Sequence, residues 1–276
     1  MKTAVPTKRP FFCAMYHFLT HSNPPMRRLE LGGGFVEKNG LWRFVLPPLS
    51  SGYADAQIDD YGRSENKHPP SRRHYPWNPG THLKIRARFS HDVSSLRGTA
   101  GFGFWNAPFG DPTVRWPALP QAAWFFFASA PTDLPLAPLG SVGRGWFAAT
   151  LDASSRRALA FIPLAPAVLL LNQFPRLRQR IWPAVQQRLG MSFAALPVNM
   201  TDWHTYELHW QPFGSTFVVD DAVILQTRHS PHGSLGFVCW LDNQYLVATA
   251  NGRFSSGTLP ITETQWMEVE RLEISH

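Results

Sequence analysis

Several aromatic residues and one acid are spaced so that strands could gather them on a single face. In Gly233-Ser-Leu-Gly-Phe-Val-Cys-Trp-Leu-Asp-Asn-Gln-Tyr245, Trp240 and Asp242 stand two residues apart. Side chains of a strand alternate between its faces, so this indole and this carboxyl share one. In residues 98–109, Phe102 and Phe104 fall on one face and Gly101, Gly103 and Trp105 on the other. Glycines along one strand face let a ligand or another backbone come close. Gln121-Ala-Ala-Trp-Phe-Phe-Phe-Ala-Ser129 places four aromatics in succession. Either Trp124 and Phe126 or Phe125 and Phe127 point away from a core, because a one-residue slip exchanges the faces. Asn106, Asn243 and Tyr245 lie at nearby strand ends.

Proton transfer has two candidates, Asp242 and His204. His204 alternates with Tyr206, Leu208 and Trp210 and so faces inward, where a buried imidazole is either hydrogen-bonded or catalytic. Asp220 and Asp221 form a turn, where aspartate serves the backbone, and Asp111 and Asp133 are loop residues. The sequence holds no Ser-His-Asp signature, no metal-ligand spacing and no phosphate loop, so neither metal nor cofactor is expected.

Strands must position these residues. Residues 81–90 show the clearest pattern, with Leu83, Ile85, Ala87 and Phe89 on one face and Lys84, Arg86 and Arg88 on the other. Residues 201–224 read as a hairpin turning at Pro212-Phe-Gly214, followed by a second turn at Asp220-Asp221. Short strands are expected at 29–31 and 41–46, and further strands at 143–151 and 266–275. Residues 1–28 read as an irregular lead-in. Residues 47–82 read as a long polar surface loop carrying His68, Arg72, Arg73 and His74. Residues 155–192 break the pattern. There Leu177, Ile181, Val185 and Leu189 recur every fourth residue, which predicts an amphipathic helix ended by Gly190 and perturbed at Pro183. This helical insertion has three readings: a lid, a contact with anionic lipid, or a helix packed on its own domain.

Composition agrees with a loop-rich β protein. The 276 residues include 25 Pro, 20 Gly, 20 Phe and 11 Trp, and only 16% are charged. This length suits one large β sandwich, taken as a single domain over 1–276. A net charge of +7 and a pI near 9.8 fit ordinary solubility first and anionic partners second, and no nucleic-acid-binding signature accompanies them. Cys13 and Cys239 make no Cys-x-x-Cys pair. The first residues lack the apolar core of a secretion signal, so the expected location is cytoplasmic, and Asn199-Met-Thr201 is then no glycosylation acceptor. No run of about 18 apolar residues is long enough to span a bilayer.

The order of hairpin, turn, short strand and Trp-bearing strand in 201–245 resembles the later half of the laminarinase and lichenase group, the family 16 glycoside hydrolases. It also resembles the wider concanavalin A-like lectin/glucanase superfamily. The likeness covers about 80–154 and 195–275 and is carried best by Trp203-His-Thr-Tyr-Glu-Leu-His-Trp210. It implies an all-β, jelly-roll sandwich of two antiparallel sheets whose concave face presents Gly103, Trp105, Trp124, Phe126, Trp240 and Asp242. Trp240 falls where that family has a cleft tryptophan. The family's catalytic strand carries Glu-x-Asp-x-(x)-Glu, whereas the matching stretch here holds Ala122, Trp124 and Phe126, or Ala123, Phe125 and Phe127 one residue along. Neither register supplies the two carboxylates that retaining hydrolysis needs about 5–5.5 Å apart. The expectation is therefore a non-hydrolytic protein binding a hydrophobic, isoprenoid- or polyketide-like ligand in an aromatic cleft. Two alternatives remain open: a cyclase or isomerase acting on such a ligand, with Asp242 or His204 moving a proton, and a glycan-binding module or diverged glycoside hydrolase. The ligand-binding residues expected are Trp105, Asn106, Trp124, Phe126, Trp240, Asn243 and Tyr245.

Overall fold

Alternating side chains build most of the structure. The computed structural model describes residues 26–61, 75–108 and 118–276. Cys13, nearly all of the lead-in, Asp111 and the His68, Arg72, Arg73 and His74 group lie outside these residues. The chain opens with β1 (Arg27–Leu31), β2 (Phe35–Asn39), β3 (Leu41–Leu46) and β4 (Asp55–Asp59). Next come β5 (Thr81–Phe89), β6 (Thr99–Trp105), β7 (Gln121–Ala128) and β8 (Gly145–Asp152). Short helices α1 (Arg156–Leu159) and α2 (Ala165–Leu171) and the longer α3 (Pro175–Arg188) interrupt the strands. The chain resumes with β9 (Ser192–Ala195), β10 (His204–Gln211), β11 (Gly214–Val219), β12 (Ala222–Thr227) and β13 (Gly236–Asp242). It ends with β14 (Gln244–Ala248), β15 (Phe254–Thr258) and β16 (Gln265–Ser275).

The first sheet runs β1, β4, β13, β6, β7, β8, β9 and the second β12, β11, β10, β5, β16, β3, β2. Neighbouring strands in both are antiparallel. Packed face to face, they form the jelly-roll sandwich that the sequence resemblance implies. Strands β14 and β15 make a separate hairpin. The core lies between the sheets. Phe102, Phe125, Phe127 and Trp146 of the first meet Leu83, Ile85, Tyr206, Leu208 and Phe217 of the second. The Phe125 ring lies 5.2 Å from Phe217, and Trp146 Nε1 donates to the Tyr206 hydroxyl at 3.3 Å. The β11–β12 turn uses Asp220 and Asp221, both at positive φ (47° and 67°). Asp tolerates this conformation, and two such residues match the twist of a tight hairpin.

Two expectations change. Residues 47–82 are not one loop. They contain β4, paired with β1 on one side and β13 on the other, with Ala56 and Ile58 in the core and acids and an amide at the alternate positions. The helical face of α3 also differs from the fourfold repeat. Trp182 and Val185 are buried while Leu177 is exposed. Gln186 turns inward instead, its amide nitrogen 2.9–3.2 Å from the carbonyls of Pro135, Leu136 and Ala137. Three acceptors for one amide outweigh the burial of one further leucine. The helix runs through Pro183 to Arg188. Asn172 and Gln173 tie the α2–α3 junction to the carbonyls of Ala250 and Asn251, beside the β14–β15 hairpin.

Candidate functional site

The outer face of the first sheet is assembled by strand register. Across it, Asp55 stands opposite Asp242 and Gln57 opposite Trp240. Asp242 faces Thr99, Trp240 faces Gly101 and Val238 faces Gly103. Gly101 in turn faces Phe126, and Gly103 faces Trp124. Phe126 then faces Phe147, and Trp124 faces Ala149. The register of β7 is thereby decided. Ala123, Phe125 and Phe127 enter the inter-sheet core, while Ala122, Trp124 and Phe126 look out. Core aromatics on both neighbouring layers select this register, a choice that four adjacent aromatics cannot make themselves.

The outward rings touch. Trp124 lies 5.3 Å from Trp105, 5.0 Å from Phe126 and 5.9 Å from Trp240, and Phe126 lies 5.3 Å from Trp240. Their closeness depends on Gly103. A methyl group there would lie 2.5 Å from the Ala123 carbonyl oxygen and 2.6 Å from Trp124 Cα. Leu136 is buried against this cluster and Leu134 packs on it. The loop that α3 holds through Gln186 thus lies beside the aromatic face.

The indoles differ in how their N–H groups are satisfied. Trp240 Nε1 donates to Thr99 Oγ1 at 3.0 Å, and that hydroxyl donates to Asp242 Oδ1 at 2.8 Å. Trp105 Nε1 donates to the Tyr61 hydroxyl. Trp124 Nε1 is buried and has no acceptor among the described residues, although Trp124 is only 8% exposed. An unmade bond at a buried donor is costly, so this N–H is an unsatisfied group inside the aromatic cluster.

An acid pair closes one end of the face. Asp242 Oδ1 also accepts the backbone N–H groups of Thr99 and Gln244. Burial nevertheless lifts this carboxyl from 3.8 to about 6, against the pull of those donors. Asp55, next to it across the β4–β13 pairing, is raised well above the usual carboxylate range by burial and by Asp242. Its Oδ1 has no hydrogen-bond partner among the described residues. Burial and the same two acids hold the Tyr53 phenol well above its usual range. Two acids paired across neighbouring strands in a dry setting each disfavour the other's ionisation, which adds to the effect of burial on both. Asp59, further along β4, accepts from Arg27 Nε at 3.0 and 3.2 Å and from Arg27 Nη2 at 2.8 Å.

Trp105, Trp124, Phe126, Trp240 and Asp242 therefore share the face expected of them. Four other residues do not. His204 belongs to the second sheet, pairing with Ala87. Its ring nitrogens contact the Asp220 carboxylate and the Asn199 carbonyl, and the whole first sheet separates it from the aromatic cluster. Asn243 is fully buried and spent on the backbone, accepting from Ala54 and donating to Gly52 and Leu259. Asn106 bridges Leu119 and Gln121. Tyr245 lies on β14 and lines a separate groove of about 450 Å³ with Pro131, Val247, Arg253, Phe254 and Ser255. Asn106 and Asn243 lie just past the ends of β6 and β13, and Tyr245 belongs to the separate β14–β15 hairpin. Asp55, Gln57 and Asp59 are the residues that the sequence analysis missed. Their alternation in Asp55-Ala-Gln-Ile-Asp59 was the available signal.

Among the described residues, one group has ligand atoms close enough together to hold a metal ion. His82 Nε2 and His209 Nε2 lie 3.2 and 3.6 Å from Glu207 Oε2, on the outer face of the second sheet, with the two imidazoles stacked 4.1 Å apart. Burial, helped by His82, pushes His209 below its usual value, while Lys84 Nζ already occupies Glu207 Oε1 at 2.7 Å. Local spacing does not reveal this group, since its ligands come from strands 125 residues apart.

No family model and no characterised protein sequence matches this chain. Solved structures do resemble it. The β-glucanase of Bacillus licheniformis matches with a TM-score of 0.46 at 9% identity, over 94% of this chain and 95% of that one. A pseudo β-1,3-glucanase of Mycobacterium tuberculosis matches at 0.42 and 13%, over 86% and 78%. A GlcNAcα1-4Gal-releasing endo-β-galactosidase of Clostridium perfringens matches at 0.41 and 14%, over 86% of this chain. The chain spans 53% of that enzyme's length. These are likenesses of architecture, and the chain is by its own sheet order a jelly-roll sandwich of two seven-stranded antiparallel sheets.

Proposed function

We propose that the outer face of the first sheet binds a small apolar ligand of isoprenoid or polyketide type that carries an acceptor oxygen, without hydrolysing a glycosidic bond. The observation that carries this reading is the contiguous array of Trp105, Trp124, Phe126 and Trp240 with the Trp124 N–H left unanswered. Aromatic walls with few polar groups are the usual lining of a site for such ligands. Trp124 Nε1 is buried, so a carbonyl, hydroxyl or ether oxygen would accept from it only where the rings part to admit the ligand. The absence of a carboxylate on β7 supports the non-hydrolytic part.

Tryptophan-fluorescence titration with farnesol and with laminarihexaose tests the reading. Farnesol should quench and saturate, and laminarihexaose should not. Trp124→Phe keeps an aromatic ring and removes the donor. It should weaken farnesol binding about fivefold, the worth of one hydrogen bond near 1 kcal/mol. Binding of laminarihexaose in preference to farnesol would assign the face to glycans.

The raised acids favour a second reading on the same face. Asp55 and Asp242 sit beside Trp240 as a potential proton donor, which is what a cyclase or isomerase of a hydrophobic substrate requires. Product formation lost in Asp55→Asn with binding retained would distinguish catalysis from binding.

A further inference from the structure

The insertion carries a surface that the aromatic face leaves unexplained. Between Asp152 and Asp202 the chain has six arginines and no acidic residue. Helix α2 reads Ala-Pro-Ala-Val-Leu-Leu-Leu and buries none of its residues. Leu159, Ile162, Leu164 and Leu169 are exposed, as are Leu170 (66%) and Phe174 (57%). Beside them, across the hydrogen bonds from Asn172 and Gln173, the β14–β15 hairpin adds an outward Phe254 at 75%. A helix apolar on all sides is normally buried, and a patch of this kind normally has a partner. Arg156, Arg157, Arg176, Arg180 and Arg188 are exposed around it.

We propose that residues 156–180, with the tip of the β14–β15 hairpin, dock on the surface of an anionic phospholipid bilayer. Charge decides the occupant. Leucine and phenylalanine would enter the boundary between headgroups and acyl chains, while the arginines stay at the phosphate level. A second copy docking through a two-fold axis would set the same uniformly positive patch against itself. An anionic bilayer instead offers an apolar interior and the opposite charge together. No described helix is long and apolar enough to cross a membrane, so the helices lie on the surface. The proposal does not rest on what the aromatic face binds. It does place the loop that α3 holds through Gln186 next to the membrane-facing element.

Vesicle co-sedimentation of the full chain tests this. Phosphatidylcholine vesicles are compared with phosphatidylcholine–phosphatidylglycerol vesicles, at low and high salt. The chain should pellet with the anionic vesicles, much less with the neutral ones, and less at high salt. Leu170→Glu replaces a side chain that buries little, so the fold should be retained, with an unchanged melting temperature. Partitioning onto anionic vesicles should fall at least tenfold. Arg176→Glu with Arg180→Glu should reduce it by a similar factor. Three results would overturn the proposal: no pelleting of the wild type with anionic vesicles, pelleting that Leu170→Glu leaves unchanged, or a dimer that Leu170→Glu splits without any vesicle binding.

Discussion

Replacing Asp242 by asparagine should make the protein more stable at alkaline pH and change it little at acid pH. Burial raises this carboxyl from 3.8 to about 6, so the folded chain holds the proton more tightly than the unfolded chain. The stabilising contribution of that proton is fully present below 3.8 and is lost as the pH rises through about 6. Proton affinity changes by about 1.4 kcal/mol per tenfold, so the ionised Asp242 costs the fold about 3 kcal/mol by about pH 8. Asparagine removes the charge but keeps an acceptor oxygen for Thr99 and Gln244, which now donate to Asp242 Oδ1. It also relieves Asp55, which Asp242 raises further. The assay is thermal unfolding of wild type and variant by circular dichroism between about pH 3 and pH 8. For a chain of this size about 3 kcal/mol corresponds to roughly 6–10 °C. The advantage of the variant in melting temperature should grow by about that amount across the range. Comparing the two proteins at each pH cancels the other titrating groups, including Glu207 and Asp220, whose lowered values act in the opposite sense. An advantage that is flat, or that shrinks as the pH rises, would refute the claim that Asp242 is a buried acid held against its charge.

Gly103→Ala should destabilise the fold by about 3 kcal/mol, because the new methyl meets the β7 backbone at 2.5 Å and φ is +151°. Gly140→Ala, where the methyl meets open space at φ +92°, should cost about 1 kcal/mol, with both variants measured by urea unfolding; equal costs at the two positions would show that the β6–β7 approach is not tight. Incubation with lichenan or laminarin should release no reducing sugar, since the outward positions of β7 are Ala122, Trp124, Phe126 and Ala128. Measurable release would place the hydrolytic carboxylates elsewhere on the face, with Asp55 and Asp242 first to be replaced.

Much of the site was legible in single strands. Trp240 and Asp242 share a face because a strand alternates, and the structure places them there. The same rule predicted the buried row of β5 and the inward Tyr206, Leu208 and Trp210 of β10. It did not place His204. Alternation states which side of its own sheet a residue faces, not which sheet it belongs to. The polar groups at strand ends failed differently. Asn243 and Asn106 read as ligand groups near the tryptophans, but strand ends leave backbone groups unpaired, and both side chains are consumed in satisfying them. In α3, Gln186 took an inward position that hydrophobic periodicity assigns to an apolar side chain, because its acceptors come from a loop some 50 residues away.

The sequence by itself determined the β composition, the alternation of the long strands, the turns, the absence of an acid on the aromatic strand and the arginine-rich, acid-free insertion. These depend on local backbone preference, side-chain period and charge count, all of which are written along the chain. Only the tertiary structure decided the register of Trp124 and Phe126, the pairing of Asp55 with Asp242, and the exposure of the insertion's leucines. Each of these depends on which distant segment lies alongside. A β4 strand read as loop supplies half of the acid pair, and the core aromatics of two sheets choose which rings of β7 turn outward.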